Sequence, residues 1–306
     1  MSFSVLIATY NRSNQLKKLF DSIIHSTLIP DEIIVVWAGR NVEDDFQPFN
    51  KSFNLKFIQS KYANQIYQKQ IGIKQISLKS NYVVFLDDDV RVDQKCFQIV
   101  REEFDQLNEI YHGIALNLQI PQHRYKKLEL FLAKLFFLNN NLPGKVRRNG
   151  QANAYLHSET NIDVDWANGI SAWRTESLSN YGFSDLSMGY SAYEDVIFSY
   201  KVSRSHKIKF LRQAKVYSDD NPVKRLSNSQ FYYASLWRLF FVKTNKNFSK
   251  FLFFYSHLAR SIEFVLKSTE QTKILNKIIY AIYVFSKLLR ASMDIKYCKK
   301  QLFLVS

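Results

Sequence analysis

Four short apolar runs alternate with helix-period segments over the first 110 residues, and this alternation narrows the possible architecture more than any other feature. The runs are "SFSVLIA" from Ser2, "EIIVVWAG" from Glu32, "FNLKFIQS" from Phe53 and "YVVFLDDD" from Tyr82. Each is short, rich in β-branched residues and bounded by polar or turn residues, as buried strands are. Between them lie "NQLKKLFDSIIHS", with Leu16, Leu19, Phe20, Ile23 and Ile24 on one helical face, then "YANQIYQKQIGIKQISLKS" and "DQKCFQIVREEFDQL". Strand and helix in alternation, joined by short connections, predict a parallel-type α/β sheet covered on both faces. Ligands of such sheets gather outside the carboxyl ends of the strands. The segments "ATYNR", "WAGR" and "DDD" all fall at those ends and are expected to converge.

The chain of 306 residues is 46% hydrophobic, enough for a sizeable core and too apolar for general disorder. Cys96 and Cys298 are far apart and show no metal-ligand spacing, which fits a reducing compartment. The first apolar run has no basic residue before it, is too short for a leader and reads as a strand. After the alternating region come an apolar amphipathic stretch at 125–138 and a polar stretch at 139–161, read as a loop and a candidate lid. "DVDWANGISAWRTESLSNYGF" reads as a strand edge, a Gly turn and a short helix. "SAYEDVIFSYKVSRSH" has helical period, and "KIKFLRQAKVYS" reads as one or two strands. From about Ser227 the alternation stops. Three helices of mixed aromatic and basic character follow, "NSQFYYASLWRLFFVKT", "FSKFLFFYSHLARSIEFVLKS" and "QTKILNKIIYAIYVFSKLLRASM". The expected division is 1–222 and 223–306.

Charge is divided unevenly. Residues 1–200 hold 21 Lys and Arg against 22 Asp and Glu, whereas residues 201–306 hold 21 against 5. The net charge of +15 therefore belongs to the last third. Such a segment suits an anionic partner, nucleic acid or an acidic leaflet, or is simply a solvated face. Its longest clean apolar run, Ile278 to Phe285, is far short of the roughly 20 residues a membrane span needs.

Two acidic clusters carry the chemistry. Asp87, Asp88 and Asp89 follow an apolar strand directly. Acidic residues cap turns and helix starts, and Asp93 fits the N-cap of the next helix, but three adjacent carboxylates point to a cation. In an extended segment Asp87 and Asp89 face one side and Asp88 the other, so the outer two suit a hard ion, Mg²⁺ or Mn²⁺. Asp88 is then expected to tolerate replacement, unless it orients Lys69 or another nearby cation. Glu194 and Asp195 open a helix, where acids complement the helix dipole or serve as a general base.

The ordered set "SVLIATYNR", "PDEIIVV", "QKQIGI", "NYVVFLDDDV", "WANGISAWRTESL", "YGFSD" and "YEDVIFSYKVSR" resembles the family 2 glycosyltransferases over residues 2–220, in particular their rhamnosyltransferase-like and polysaccharide-assembly branches. The resemblance implies a GT-A fold, a Rossmann-like mixed and mainly parallel sheet with helices on both faces, here followed by a C-terminal helical extension. It implies an inverting, metal-dependent transfer from a nucleotide-diphospho-sugar. Asp195 becomes the expected base, with Glu194 as the alternative or as a residue that orients the acceptor. Asp87 and Asp89 become the metal pair, Asp87 and Asp88 also donor contacts. Thr9, Tyr10 and Arg12 resemble the base- and phosphate-contacting loop, with Tyr10 either stacking or packing. Lys69 keeps a phosphate-binding cation where the family has Arg, though not a bidentate one. Trp166, Asn168 and Gly169 match the motif near the sugar, with core packing the other reading of Trp166. Two departures stand out. The Asp that contacts uracil in relatives is absent at Trp37–Ala38, which leaves the base open. A metal- or phosphate-contacting His is replaced by Ser218, next to Asp219.

The expected activity is assembly of a bacterial surface glycan on a glycan or lipid-linked acceptor. The expected location is cytoplasmic, or peripheral at the inner face of the cytoplasmic membrane. Two alternatives are a nucleic-acid-binding protein using the basic third, which leaves both acidic clusters unemployed, and a non-catalytic GT-A module.

Overall fold

In the computed structural model the first strand, β1 (Phe3–Tyr10), sits between parallel neighbours, β2 (Glu32–Ala38) and β4 (Tyr82–Asp87), with β3 (Leu55–Gln59) outside β2. Described are residues 1–119, 134–136, 138, 142–183, 192–218, 227–266 and 271–302, with backbone only at 50 and 271–273. Most of the 125–138 stretch, the first residues of 139–161, Asp185, Asp219 and residues 221–226, around the expected division at 222/223, lie outside them.

The pleat assigns the core. Phe3, Val5 and Ile7, Ile33, Val35 and Trp37, and Tyr82, Val84 and Leu86 enter one cluster. They pack there with Leu16, Leu19, Phe20 and Ile23 of α1 (Ser13–Ile24) and Phe97, Val100 and Phe104 of α3 (Cys96–Gln106), which follow α2 (Gln65–Ile73) in the chain only in the case of α3. Leu6, Ile34, Val36, Val83 and Phe85 enter the opposite cluster, with Ile71 and Ile73 of α2. Period-two alternation with both faces buried is why β2 is buried throughout and reads as one apolar run. Helix α2 reaches its face through Gly72, where a Cβ would lie 2.2 Å from a Leu6 methyl.

Beyond β4 the sheet is mixed. Its order is β3-β2-β1-β4-β8-β6-β9-β5. Strand β5 (Val90–Val92) pairs antiparallel with β9 (Lys207–Ser218), and β6 (Tyr111–Gln119) runs parallel to β9. Strand β7 (Ile162–Val164) lies against β9, and β8 (Ser171–Arg174) is antiparallel to both its neighbours. Short α4 (Thr175–Tyr181) follows β8, and α5 (Glu194–Ser203) precedes β9. The segment "KIKFLRQAKVYS" is thus a single strand, with an irregularity where its register to β6 shifts between Leu116 and Asn117. Asp93 is not the N-cap of α3. Lys95 holds that position, and Asp93 accepts the Lys95 N–H at 3.1 Å two residues earlier.

The chain divides into two compact units. One comprises Met1–Pro121, Ala154–Asp185 and Glu194–Pro222 and holds the sheet. The other comprises Gln122–Asn153, Leu186–Tyr193 and Val223–Ser306. Its helices are α6 (Asn228–Thr244), α7 (Lys250–Leu266), α8 (Gln271–Met293) and α9 (Ile295–Leu302). A capping box between Ser227 and Gln230 starts α6. Ring contacts of Phe254 with Phe285 at 5.4 Å and Phe264 with Tyr280 at 6.4 Å set α7 and α8 antiparallel. Among the described residues no helix is long and apolar enough to cross a membrane.

Candidate active site

All the described candidate residues fall in the sheet-bearing unit; Thr9, Tyr10 and Asp87 stand at the carboxyl ends of β1 and β4, Lys69 on α2, and Glu194 and Asp195 at the start of α5. Strand β4 ends at Asp87, and Asp88 and Asp89 form the turn into β5. The pleat therefore places Asp87 with Val83 and Phe85, on the α2 side. Asp88 turns to the α1 side, where its buried carboxylate accepts the Thr9 hydroxyl at 2.7 Å and the Arg12 guanidinium at 3.1 Å. Asp89 does not return to the side of Asp87 as an extended chain would require. It joins Asp88 on Arg12, at 2.7 Å. The expected division of the outer pair from Asp88 thus holds for Asp87 and fails for Asp89, because the strand stops one residue too early for the alternation to continue. Asp88 meets the stated exception to its being replaceable: it is buried and holds a cation, Arg12 and not Lys69.

Burial pushes the Asp88 carboxyl above its ordinary range, against the lowering effect of Thr9 and Arg12. Asp87 is also pushed up by burial. Lys69 and the amide of Gln65, which donates to Asp87 at 3.0 Å, oppose that shift, and the charge of Asp89 adds to it.

Helix α2 supplies the cation. Gln65, Gln68, Lys69 and Gly72 recur at i, i+3, i+4 and i+7, one face that lies against the strand ends. Gln68 donates to the carbonyls of Thr9 and Val36, both at 2.8 Å, and so ties the exits of β1 and β2 together. Lys69 is 4% exposed. Its Nζ lies 3.8 Å from Glu194 Oε1 and over the rings of Phe85 and Phe183. Three carboxylic groups, Asp87, Glu194 and Asp195, thus share one buried ammonium. Glu194 and Asp195 are both held above the usual carboxylate range by burial, with Lys69 opposing it. Raised carboxyls clustered with a specific charge partner are what a proton-transfer site requires.

The loop 165–170 covers this cluster. Ser199, one turn after Asp195, donates to the Asp195 carbonyl at 2.5 Å and bonds both the N–H and the carbonyl of Ala167. The buried Tyr155 hydroxyl accepts the Asn168 N–H at 2.8 Å. Asn168, Gly169, Lys69 and Asp195 then line one small cavity. A Cβ at Gly169 would lie 3.7 and 3.8 Å from the two Asp87 oxygens and 3.8 Å from Lys69 Nζ, so the glycine leaves the space over that pair open. Asn168 Oδ1 is buried with no hydrogen-bond partner among the described residues. Trp166 does not line this cavity; it packs edge-on against Tyr155 at 5.0 Å. Tyr155 also ties part of the expected lid, 139–161, into the core.

On the other side of the strand ends Tyr10 is 53% exposed, open for stacking. Asn11, in the left-handed region at φ 54°, accepts the Arg40 N–H at 2.8 Å. Gly39, at φ +83°, allows this approach, since a Cβ would strike the Asn11 amide. A cleft of about 580 Å³ opens here, lined by Asn11, Ser13, Lys17, Arg40 and Asp45; it contains none of the site's carboxylates, and its own Asp45 accepts the Ser13 hydroxyl at 2.5 Å. Trp37 is buried in the core and does not face it. Ser218 pairs in register with Val90, beside the Asp88–Asp89 turn.

The chemistry of the donor set, carboxylate oxygens, suits a hard divalent cation, although Arg12 draws Asp89 away from the side of Asp87. Asp87 and Asp89 each keep one carboxylate oxygen without a hydrogen bond among the described residues, and the carboxylates of the cluster outnumber its ammonium. Fewer than three acidic, His or Cys ligands converge on a point among the described residues, so such an ion would draw most of its shell from phosphate and water, as Mg²⁺ does.

The missed residues are Gln65, Gln68, Ser199 and Tyr155. The first three had a signal, polar side chains at helical spacing on a face that must be buried. Tyr155 had none.

The fold matches solved structures of S. aureus TarS. The 1–349 fragment in complex with UDP-GlcNAc aligns with a TM-score of 0.61 at 16% identity, covering 98% of this chain and 88% of that one. The same fragment in complex with UDP gives 0.58 at 16%, with 98% and 89% covered. A longer TarS structure gives 0.58 at 16%, with 98% and 55% covered. This likeness shows the α/β architecture of GT-A enzymes with C-terminal helices. A comparison with curated proteins gave no match. Residues 4–161, just over half of the chain, match the family model described as glycosyl transferase family 2, and the chain belongs to that family.

Proposed function

We propose that this glycosyltransferase carries out an inverting transfer from a nucleotide-diphospho-sugar to a glycan hydroxyl, in assembly of a bacterial surface polysaccharide, with 1–222 carrying the chemistry and 223–306 contacting the acceptor or its carrier. The observation that carries it is the convergence of Asp87, Lys69, Glu194 and Asp195 beneath the Asn168–Gly169 loop. The solved TarS complexes with UDP-GlcNAc and UDP support a nucleotide donor.

Asp195 accepts the acceptor hydroxyl proton as that oxygen forms its bond to the anomeric carbon. The bond from that carbon to the diphosphate oxygen breaks in the same displacement, and the nucleoside diphosphate leaves with the electron pair. Ser199 fixes the first turn of α5, and so the direction of Asp195, against the loop over the sugar. Lys69 opposes the rise that burial imposes on Glu194 and Asp195. Asp87, joined by Asp89 once Arg12 releases it, would hold Mg²⁺ or Mn²⁺, which when bound supplies Lewis-acid stabilisation of the leaving diphosphate. Arg12 would exchange Asp89 for phosphate, and the exposed Tyr10 would stack on the base.

The test is a thermal-shift screen of UDP-, GDP- and dTDP-sugars with and without Mn²⁺, followed by transfer assays with the best donor. A metal-dependent shift with one nucleotide is expected, and transfer lost in Asp195→Asn at unchanged melting temperature. No shift with any donor overturns the donor reading; full activity in Asp195→Asn overturns the base.

A further inference from the structure

Helix α8 has two apolar faces. Ala281, Val284, Leu288 and Ala291 are buried within the helical unit. On the opposite side Leu275, Ile279, Ile282, Leu289 and Met293 are exposed, Leu275 by 61%, Ile282 by 65% and Met293 by 81%. At 3.6 residues per turn these five positions form one stripe along the helix, about 27 Å long. A helix that only packs on its own domain is polar on its outer face. Helix α7 repeats the pattern with Phe251, Leu258, Ile262 and Leu266 exposed.

Cations accompany the stripe. Residues 227–306 hold 13 Lys and Arg against 3 Asp and Glu. Arg290, Lys296, Lys299 and Lys300 are exposed at the C-terminal end of the stripe, with Asp294 the exposed acid among them. The charged heads of Lys287 and Arg290 lie over the rings of Tyr283 and Tyr297, at 5.2 and 4.5 Å from their centroids.

We propose that the outer face of α8 docks in the plane of a bilayer leaflet that contains anionic lipid. An apolar stripe with cations around it matches both halves of that surface, acyl chain and headgroup phosphate. A second copy of the chain fits less well. A two-fold interface would set this basic rim against its own copy, with too few acids to answer it. Nucleic acid answers the charge and leaves the five apolar side chains without a partner. The docking is independent of the reading of the active site.

The test is co-sedimentation of the full chain with vesicles of phosphatidylcholine alone or mixed with phosphatidylglycerol, at low and high salt. Light scattering of the protein and nucleotide-sugar binding are measured in parallel. Wild type is expected to bind only the phosphatidylglycerol vesicles, and less at high salt. Ile282→Glu, at an exposed position, is expected to lower the partition about ten-fold with donor binding and helicity unchanged. Lys299→Glu with Lys300→Glu is expected to remove the dependence on phosphatidylglycerol. Wild type remaining in the supernatant overturns the proposal, as does wild-type binding by Ile282→Glu, or a dimer in solution that Ile282→Glu dissociates.

Discussion

Replacing Lys69 with methionine tests the electrostatic logic of the site. Methionine keeps most of the stem between Phe85 and Phe183 and removes the charge. Lys69 Nζ lies 3.8 Å from Glu194, both nearly inaccessible to water. At an effective dielectric of about 20 that pair alone is worth about 4 kcal/mol, and losing one partner of a buried pair typically costs about 3–5 kcal/mol. The cost depends on pH. Asp87, Glu194 and Asp195 already bind protons more tightly in the folded chain than in the unfolded one, because burial raises them. Without Lys69 they rise further. Raised carboxyls contribute stability that is complete below their unfolded values, about pH 4, and is lost as pH rises through the folded ones. At pH 5, below the value of about 7 to which Glu194 is already pushed, the variant's carboxyls carry less charge than at pH 8 and it loses about 1 kcal/mol, the packing cost of the swap. At pH 8 it must ionise them without a counter-charge or hold them neutral against solvent, and the loss reaches about 3–4 kcal/mol. Urea unfolding of both proteins at the two pH values measures the difference. An equal loss at pH 5 and pH 8 would show that Lys69 acts by packing alone.

Asp88→Ala strands the buried Thr9 hydroxyl and removes one of the two carboxylates that hold Arg12, so a loss of about 1–3 kcal/mol is expected in urea unfolding. No measurable loss would return Asp88 to the replaceable class. Gly169→Ala adds a methyl at ordinary contact distance from Asp87 and Lys69, so the fold should hold within about 0.5 kcal/mol while donor affinity falls. Unchanged donor affinity by thermal shift would mean that the space over Asp87 is not where the sugar diphosphate sits.

Legibility followed the range of the forces involved. Helices α6 and α8 run from Asn228 to Thr244 and from Gln271 to Met293, the bounds their periodic segments predict, because local spacing of apolar residues decides them. Helix α9 escaped notice, since "IKYCKKQL" is short and mostly polar, and only the burial of Cys298 and Leu302 marks it as packed. The antiparallel pairings of β5, β7 and β8 have no local signature, because a buried strand reads alike in either direction. In the site, the acidic clusters stood out as charges at apolar boundaries. The roles of Gln65, Gln68 and Ser199 depend on partners 22 to 59 residues away.

By itself the sequence determined the layered α/β class, the family, and the fact that acidic groups end a buried strand and open a late helix. These follow from periodicity and from the cost of burying charge, both properties of single residues and their near neighbours. Tertiary structure decided which carboxylate faces what. One residue more in β4 would have placed Asp89 beside Asp87. The strand stops at Asp87, so the turn gives Asp88 and Asp89 to Arg12, and Asp87 alone joins Lys69, Glu194 and Asp195. Where a strand ends depends on what its neighbours can pair with, here β5 against β9 from the far end of the sheet, and no local pattern encodes it.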